Sequence, residues 1–399
     1  MTPERIHIER LRIQNYRALR DVTFKELTPF TVLCGPNGSG KSTVFDVFAF
    51  LNEAFTEGLR SAWDARNRMT GIRSRGSDGP IGFELEYRAP GPDGQRRLVT
   101  YTLRIGESSY VPVIEEEKLQ WTTSPGQRRP REILSFSRGA GFTWDEDTGS
   151  TQETLSSPDL LAVSALGQFA RHPRVQALRD FISGWYLSYI SADSTRVTPM
   201  AGSQPRLSQT GDNLPNVIQY LDENHQERLE QIFNVRGERV PQLERLIPER
   251  MADGRLLLTL KDRAFDEPVL SRFASDGTLK LLAYLTVIYD PDPPAVIGIE
   301  EPENLLHPKL LAALADEMRG ASAKCQILVT THSPEFVNMV KPRELWMIRR
   351  GDDGYARVAR ASDDDRLMAM VAAGGQLGAL WNEGYLSQAD PQQVVVCRY

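Results

Sequence analysis

The chain has 399 residues, 40% of them hydrophobic and 25% charged, with a formal net charge of −6. This is an ordinary globular composition, and its acidic balance means that any contact with nucleic acid would need a local basic patch. The three widely spaced cysteines Cys34, Cys325 and Cys397 indicate reduced thiols, and we find neither a signal peptide nor an apolar run long enough for a membrane span. We therefore expect a cytoplasmic protein without membrane association.

The first predicted elements are strands, followed by a helix. Alternating apolar residues over 6–13 indicate a half-buried strand, and the apolar run 30–33 is typical of a fully buried one. Apolar residues at helical spacing over 44–51 predict an amphipathic helix. Further strands are expected over 81–104, with a turn at Gly91–Gly94.

Helical spacing dominates the middle of the chain, and alternation returns in the last third. A short strand at 186–190 interrupts the helical part. Strands at 295–299 and 326–329 flank a helix at 308–318, an order that predicts a mainly parallel sheet. We predict three parts: a first lobe with an antiparallel β subdomain (1–155), an inserted helical lobe (156–255) and a second lobe (256–399).

The strongest motif connects the buried strand at 30–33 to the helix. It reads G-x-x-x-x-G-K-S and comprises Gly35, Pro36, Asn37, Gly38, Ser39, Gly40, Lys41 and Ser42, followed by Thr43. The glycines let successive backbone N–H groups point inward and bind an anion at a helix N-terminus. Lys41 would bring a positive charge to the outer phosphates, and the Ser42 hydroxyl is suited to bind Mg²⁺. The strand–loop–helix context disfavours a chance glycine-rich turn. The motif predicts binding of ATP with Mg²⁺.

Two further motifs follow predicted buried strands. Glu300 and Glu301 end the strand at 295–299, where one carboxylate would hold Mg²⁺ and the other would orient the attacking water. His332 follows the strand at 326–329 and would sense the γ-phosphate. Adjacent acids are usually solvated and a lone histidine is usually structural, but their order after the phosphate loop favours a function. We predict Glu300 as a metal ligand, and Glu301 and His332 as catalytic residues.

A fourth motif begins a predicted helix. Ser275, Asp276 and Gly277 precede an apolar helical face. Ser275 or Asp276 is a good N-cap, which is a sufficient structural explanation. A serine and a glycine at a helix start also form a phosphate receptor, so we include all three residues in the predicted nucleotide site.

The order of these four motifs resembles that of the ABC-type ATPases. The resemblance implies an α/β fold: a P-loop ABC-ATPase head with a mainly parallel core sheet, an antiparallel β subdomain and an inserted helical lobe. It also implies a homodimer in which Ser275 and Gly277 contact the γ-phosphate held by the other subunit. The residues expected to act within one subunit are Lys41, Ser42, Glu300, Glu301 and His332.

Other segments resemble the RecF, SMC and OLD-like branch, in particular its stand-alone AAA-like members. These segments are 13–19, 211–214, 301–308 and 377–381, so the resemblance covers nearly the whole chain. The chain departs from the pattern at Glu300, where the family usually has Asp, a change that would slow hydrolysis if the longer arm shifts the Mg²⁺ shell. ABC-type ATPases also have a glutamine in a segment called the Q-loop. We do not identify its counterpart in this sequence, where Gln120 and Gln168 are the candidates. The tail lacks the acidic cluster of the TOPRIM nuclease, so no nuclease is expected in this chain.

The resemblance implies the sensor or regulatory ATPase of an anti-phage defence system, acting with a separate nuclease-like or toxic effector. A RecF-like DNA repair ATPase is the alternative. A transporter subunit is less consistent with the sequence, because transporter subunits usually have Leu-Ser-Gly-Gly-Gln where this chain has Ala-Ser-Asp-Gly-Thr at 274–278. Two arginine clusters, at 60–75 and 128–131, have two interpretations: they bind nucleic acid, or they are simply solvated surface. The sequence leaves both open. An oligomer larger than the dimer is also left open.

Overall fold

A computed structural model describes residues 6–90, 95–122, 130–145, 148–234, 243–262, 267–386 and 389. The turn predicted at Gly91–Gly94, two arginines of the second basic cluster (Arg128 and Arg129) and Cys397 lie outside the described residues.

The described secondary structure alternates strands and helices. The strands are β1 (Ile8–Tyr16), β2 (Leu19–Lys25), β3 (Phe30–Cys34), β4 (Ile81–Pro90), β5 (Arg96–Ser108), β6 (Val111–Trp121), β7 (Arg131–Ser137), β8 (Ala140–Asp145), β9 (Gly149–Thr154), β10 (Tyr186–Ser188), β11 (Leu243–Arg250), β12 (Leu256–Asp262), β13 (Val269–Leu270), β14 (Val296–Glu300), β15 (Gln326–Thr331), β16 (Leu345–Arg350) and β17 (Ala356–Arg360). The α-helices are α1 (Lys41–Thr56), α2 (Leu59–Ala65), α3 (Arg68–Ile72), α4 (Ala162–Leu166), α5 (Pro173–Ser183), α6 (Ala192–Thr195), α7 (Leu214–Asn224), α8 (Gln226–Asn234), α9 (Asp276–Ile288), α10 (Pro308–Ala321), α11 (Pro334–Val337), α12 (Asp365–Ala372) and α13 (Leu377–Asn382). None of these helices combines the length and apolar character needed to cross a bilayer.

The core is a sheet with the order β10-β14-β15-β3-β16-β17. Each neighbouring pair from β10 to β16 is parallel, and only β17 runs antiparallel, to β16. The prediction of a mainly parallel sheet is confirmed. Every residue of β3 is buried, and its alternate side chains enter two separate hydrophobic cores, with Leu33 in one and Val32 in the other. This two-sided burial explains why the sequence of β3 is apolar throughout.

A second sheet is antiparallel throughout, with the order β2-β1-β4-β5-β6-β7-β8-β9. It packs against α1 through aromatic contacts: the ring of Tyr16 lies 5.8 Å from that of Phe50 and 5.7 Å from that of Phe83. The predicted antiparallel β subdomain is therefore present. The β1–β2 turn of this sheet contacts α1: Arg17 in the turn forms an ion pair at 2.8 Å with Asp46 on α1.

The middle of the chain contains helices α4 to α8, where helical spacing was predicted. The strand expected at 186–190 is β10, and it pairs in parallel with β14 at the edge of the core sheet. Strand β11 pairs with β12, across the predicted boundary between the middle part and the second lobe. The division into three parts remains a prediction, but the middle part contributes a strand to the core sheet.

Glu117 is a buried carboxylate that sequence patterning did not identify. It lies on β6 with 0% exposure, and it accepts hydrogen bonds from the Tyr101 hydroxyl at 3.0 Å and from the backbone N–H groups of Ala162 and Val163 at 2.5 and 3.1 Å. It thus connects the antiparallel sheet to the start of α4. Burial raises the pKa of Glu117 to about 7, although its hydrogen bonds act in the opposite direction.

The raised pKa of Glu117 predicts that the free energy of unfolding decreases as the pH rises. The unfolded chain releases the proton near the ordinary pKa of 4.5, whereas the folded chain holds it up to about 7. Stability should therefore fall by about 3 kcal/mol across this interval and level off above it. We expect Glu117→Gln to remove this part of the pH dependence in urea unfolding between pH 4.5 and 7.5, while Glu107→Gln, an exposed control on β5, should retain it. Parallel curves for all three proteins would contradict this assignment.

Candidate functional site

The phosphate loop runs from the end of β3 to the start of α1. Gly38 and Gly40 have φ values of +75° and +114°, in the region that favours glycine. A Cβ atom on Gly35 would lie 2.1 Å from the carbonyl oxygen of Ile348 on β16. The loop therefore begins in direct contact with the backbone of the neighbouring strand, and only glycine fits there.

Lys41 is the first residue of α1 and is 5% exposed. Its Nζ donates hydrogen bonds to the carbonyl oxygens of Gly35 at 2.7 Å and Pro36 at 3.1 Å. The ammonium group thus lies within the curve of the loop, where an anion would bind. Burial lowers the pKa of Lys41, and the nearby charge of Glu301 opposes this shift.

An open cavity of about 790 Å³ lies over this loop, within the range of roughly 300–1,000 Å³ found for ligand pockets. Its lining includes the acidic residue Glu301 and these residues of the loop and α1: Asn37, Gly38, Gly40, Lys41, Ser42 and Thr43. The opposite wall comes from the β1–β2 turn, the α3 region and the β16–β17 hairpin: Arg17, Ala18, Thr70, Gly71, Arg73, Arg75, Arg350, Asp353, Gly354 and Tyr355. The remaining predicted loop residues, Gly35, Pro36 and Ser39, are not part of this lining.

The two predicted acidic residues occupy different positions. Glu300 is the last residue of β14, and its Cα is paired with that of Thr330 on β15. Glu301 follows with φ of +43°, and its N–H donates to the Thr330 carbonyl oxygen at 2.9 Å. A left-handed backbone is uncommon for a residue with a side chain, and such conformations cluster at functional sites. Glu301 lines the cavity, whereas Glu300 does not.

His332 lies beside the Glu301 carboxylate. Its Nδ1 is 3.1 Å from Glu301 Oε1 and 3.4 Å from Glu303 Oε1, and its side chain is 42% exposed. Asn304 Nδ2 donates to the other oxygen of Glu301 at 3.1 Å. Burial alone would raise the pKa of Glu301, but the hydrogen bonds from Asn304 and His332 and the charge of Lys41 outweigh it and lower that pKa. Glu301 is therefore ionised at neutral pH, as a group that orients water must be.

Glu303 holds the segment that carries His332. Its Oε1 accepts hydrogen bonds from the Thr331 hydroxyl at 2.7 Å and from the His332 N–H at 2.8 Å. Its other oxygen, Oε2, is buried without a hydrogen-bond partner in the described part of the chain. Glu303 lies in the segment 301–308 that carried the family resemblance, but sequence reasoning assigned it no role, because its partners are 28 and 29 residues away.

The Ser275 motif is built as predicted for a helix start and is not part of the cavity lining. Ser275 is the N-cap of α9, and its Oγ accepts from the Thr278 N–H at 3.2 Å. Asp276 forms an ion pair with Arg196. Ser275, Asp276 and Gly277 do not line the cavity. The cavity therefore combines the phosphate loop with Glu301, and Glu301 contacts His332, whereas neither His332 nor the Ser275 motif is part of the lining.

A buried lysine connects α9 to the acidic loop. Lys280 is 5% exposed, and its Nζ donates to the Asn304 carbonyl oxygen at 3.0 Å. A Cβ atom on Gly277 would lie 2.7 Å from the carbonyl oxygen of Leu305, so the first turn of α9 also packs closely on this loop. Burial lowers the pKa of Lys280, and the carboxylates of Glu303 and Glu301 oppose this shift. Lys280, Asn304 and Glu301 thus form a continuous chain of contacts that sequence reasoning did not identify.

The first basic cluster is largely neutralised by ion pairs. Arg60 pairs with Asp159 at 2.9 Å and Arg68 with Asp64 at 2.7 Å. Arg66 pairs with Asp46 at 2.8 Å. The remaining members, Arg73 and Arg75, line the cavity. Three of the five arginines thus have a carboxylate partner, and nucleic-acid binding by this cluster remains a prediction.

The two glutamine candidates for the Q-loop lie elsewhere. Gln120 is on β6 of the antiparallel sheet, and Gln168 donates to the Ser164 carbonyl oxygen at 3.2 Å. Neither residue lines the cavity.

The oxygen donors at the site suit a magnesium ion that arrives with a nucleotide. Across the described residues, no cluster of three or more His, Cys, Asp or Glu side chains is placed to hold a metal ion. Mg²⁺ usually binds through one or two protein oxygens together with substrate phosphates, so a complete protein cage is not required. Ser42 offers an exposed hydroxyl in the cavity, and Glu300 offers a carboxylate at the end of β14. Both are hard donors of the kind that this ion prefers.

Comparisons with known proteins agree with this architecture. The family model described as "AAA domain, putative AbiEii toxin, Type IV TA system" matches residues 30–338, which include all four motifs. No curated protein matches the sequence.

Among solved structures, the fold is similar to an SMC head bound to the C-terminal winged-helix domain of ScpA. The identity is 14%, the TM-score is 0.53, and the match covers 88% of this chain and 97% of that chain. The SMC head domain from Thermotoga maritima matches with 12% identity and a TM-score of 0.46, over 89% of this chain and 98% of that one. An SMC head with an extended coiled coil, bound to the C-terminal domain of ScpA derived from Pyrococcus furiosus, matches with 12% identity and a TM-score of 0.49. This match covers 92% of this chain and 100% of that chain.

The first of these similarities shows that the fold is that of an SMC-type ABC-ATPase head. The narrower assignment to the RecF and OLD-like branch remains a prediction.

For the ATPase activity that the sequence predicts, Glu303→Ala should slow ATP hydrolysis by about tenfold or more, because positioned catalytic groups contribute 10²–10⁴-fold. It should leave ATP affinity within about twofold, because the phosphate loop is untouched. Glu303→Gln should retain most of the activity, since its amide oxygen can accept the same two hydrogen bonds. Glu335→Gln, which changes a carboxylate that accepts a hydrogen bond from the Ser333 hydroxyl in the same segment, is the control. Steady-state hydrolysis and calorimetric binding measure both effects. Loss of ATP binding in Glu303→Ala would argue against a role confined to the His332 segment.

Proposed function

The chain belongs to this AAA-domain family, and from that premise we propose that it is an ABC-type ATPase that closes into a homodimer around ATP and Mg²⁺. The observation that carries the proposal is the division of the site between two surfaces. The phosphate loop and Glu301 share one cavity, whereas the start of α9, with Ser275 exposed at its N-cap, lies outside it. The resemblance to ABC-type ATPases implies that a second copy of the chain supplies this helix start to the nucleotide.

The residues of the cavity support binding of a triphosphate. The backbone amides of the phosphate loop and the N-terminus of α1 would hold the phosphates. The Lys41 ammonium, which lies within the curve of the loop, would add a positive charge to this site. Ser42 and Glu300 are the residues that would hold Mg²⁺, and the chemistry this ion would supply is neutralisation of phosphate charge.

Hydrolysis is assigned to Glu301 and His332. The ionised Glu301 carboxylate would accept a hydrogen bond from the attacking water and fix its direction. The His332 imidazole, already in contact with this carboxylate at 3.1 Å, would donate to the γ-phosphate. Both groups lie on loops that follow adjacent parallel strands, so their separation is set by the core sheet.

The proposed dimer places the start of α9 from one copy at the cavity of the other. In each copy the start of α1 lines the cavity and the start of α9 does not, so two identical copies would complete each other's sites in a two-fold arrangement. The Ser275 hydroxyl and the N–H groups of the first turn of α9 are suited to the γ-phosphate. ADP lacks this group, so only ATP would favour the closed dimer.

We place this ATPase in a defence system, where it would act as the regulatory subunit with a separate nuclease-like or toxic effector. The family description, which names a toxin of a toxin–antitoxin system, supports a role in a system of more than one protein. Affinity purification of the tagged chain from its host, with and without ATP, tests this role. Recovery of the chain without any second protein in both conditions would contradict it.

The proposal predicts that Glu301→Gln accumulates as an ATP-bound dimer, because the variant binds ATP and closes but cannot orient the water. Light scattering with Mg²⁺ and ATP should give twice the monomer mass of 44.9 kDa. The same variant with ADP should remain at the monomer mass. Adding Lys41→Ala to Glu301→Gln should abolish both nucleotide binding and the dimer. A monomer at saturating ATP would refute the closure mechanism.

A further inference from the structure

The cavity extends well beyond the phosphate loop. In the core sheet the order is β14-β15-β3-β16-β17, and the phosphate loop follows the central β3. Glu301 follows β14, on one side of β3, and the β16–β17 hairpin lies on the other side. Because residues of both regions line one cavity, Glu301 and the hairpin mark its opposite ends.

We propose that the end beside the β16–β17 hairpin binds the base and ribose of the nucleotide, with Tyr355 as the residue on which the base stacks. This inference rests on the proposed function, which places the γ-phosphate at Glu301. A triphosphate that has its last phosphate there and crosses the loop over β3 would direct its nucleoside toward the opposite wall, which includes the β16–β17 hairpin. Tyr355 is the aromatic residue of the cavity lining.

The ring of Tyr355 is held before any ligand binds. Its hydroxyl donates to the carbonyl oxygen of Arg75, and the Arg20 guanidinium lies over the ring, 4.9 Å from its centroid. The hairpin tip is fixed by the hydrogen bond from the Tyr355 N–H to Asp353 at 3.2 Å and by the Gly351 N–H, which donates to the Tyr355 carbonyl oxygen at 2.8 Å. A side chain restrained in this way loses little conformational freedom when a base stacks on it.

The chemistry of this end suits a nucleoside. In the proposed function the phosphate loop and Lys41 hold the triphosphate, and the far wall combines an aromatic ring with the planar guanidinium groups of Arg17, Arg73, Arg75 and Arg350. Both kinds of group stack on the flat face of a base, and stacking accepts any base because each has a π face. We therefore expect this end to recognise the presence of a base more than its identity.

Calorimetric titration with two ligands separates the nucleoside from the phosphates. Wild-type protein and Tyr355→Leu are each titrated with Mg²⁺–ATP and with Mg²⁺–tripolyphosphate, which carries the phosphate chain alone. Tyr355→Leu should weaken ATP binding by roughly 5- to 150-fold, the worth of one base–aromatic stack. Its affinity for tripolyphosphate should remain within about twofold of wild type, since the phosphate loop is unchanged.

Two further variants test whether the ring itself is responsible. Tyr355→Phe keeps the ring and loses only the hydrogen bond to Arg75, so ATP affinity should stay close to wild type. Tyr385→Leu removes a tyrosine that also has an arginine over its ring, Arg366 at 5.6 Å, but does not line the cavity, and it should bind both ligands normally. Photolabelling of the unmodified protein with an azido-adenine analogue of ATP should modify the peptide that contains residues 350–355 or the one that contains 70–76.

Three results would overturn the inference. One is unchanged ATP affinity in Tyr355→Leu. Another is an equal loss of affinity for ATP and tripolyphosphate, which would make the hairpin a phosphate contact or a structural support. The third is a photolabel recovered on α9 or β14. Wild-type protein that binds neither ligand would instead refute the proposed function, so the two failures are distinguishable.

Discussion

The functional site depends on the position of β3, held in parallel between β15 and β16 at the centre of the core sheet. Parallel strands bring their carboxyl ends to one edge, so the phosphate loop after β3, His332 after β15 and the hairpin after β16 meet there. The contact of Gly35 with the Ile348 carbonyl group fixes the loop against β16. Loss of this register would separate Lys41 from Glu301 and open the cavity.

The hydrogen bonds around Glu301 connect parts of the site that are distant in sequence. Glu303 joins the acidic loop to the His332 segment, and Lys280 joins the same loop to α9. In the proposed dimer, α9 would contact the nucleotide of the partner subunit, while Asn304 and Glu301 would serve the nucleotide of their own. The contacts through Lys280 are therefore suited to make hydrolysis at one site depend on occupancy of the other.

The sequence predicted those features whose cause is local. The phosphate loop is a contiguous motif, and Glu301 and His332 follow runs of apolar residues that only a buried strand explains. Features that arise from contacts between distant segments were not predictable. Glu303, Lys280 and Tyr355 acquire their positions from partners in other elements, and the ion pairs of Arg60 and Arg66 join residues 99 and 20 positions apart. The strand β10 was predicted, but its parallel pairing with β14 at the edge of the core sheet was not.

Mixing two inactive variants tests most directly whether each ATP site is shared between subunits. Lys41→Ala disables the phosphate loop, and Ser275→Arg blocks the start of α9, so each homodimer should be inactive. A mixed dimer would contain one site built from an intact phosphate loop of one subunit and an intact α9 of the other. The account predicts that the 1:1 mixture hydrolyses ATP, at roughly a quarter of the wild-type rate if the variants pair at random and the sites act independently. A mixture as inactive as its components would contradict the shared site.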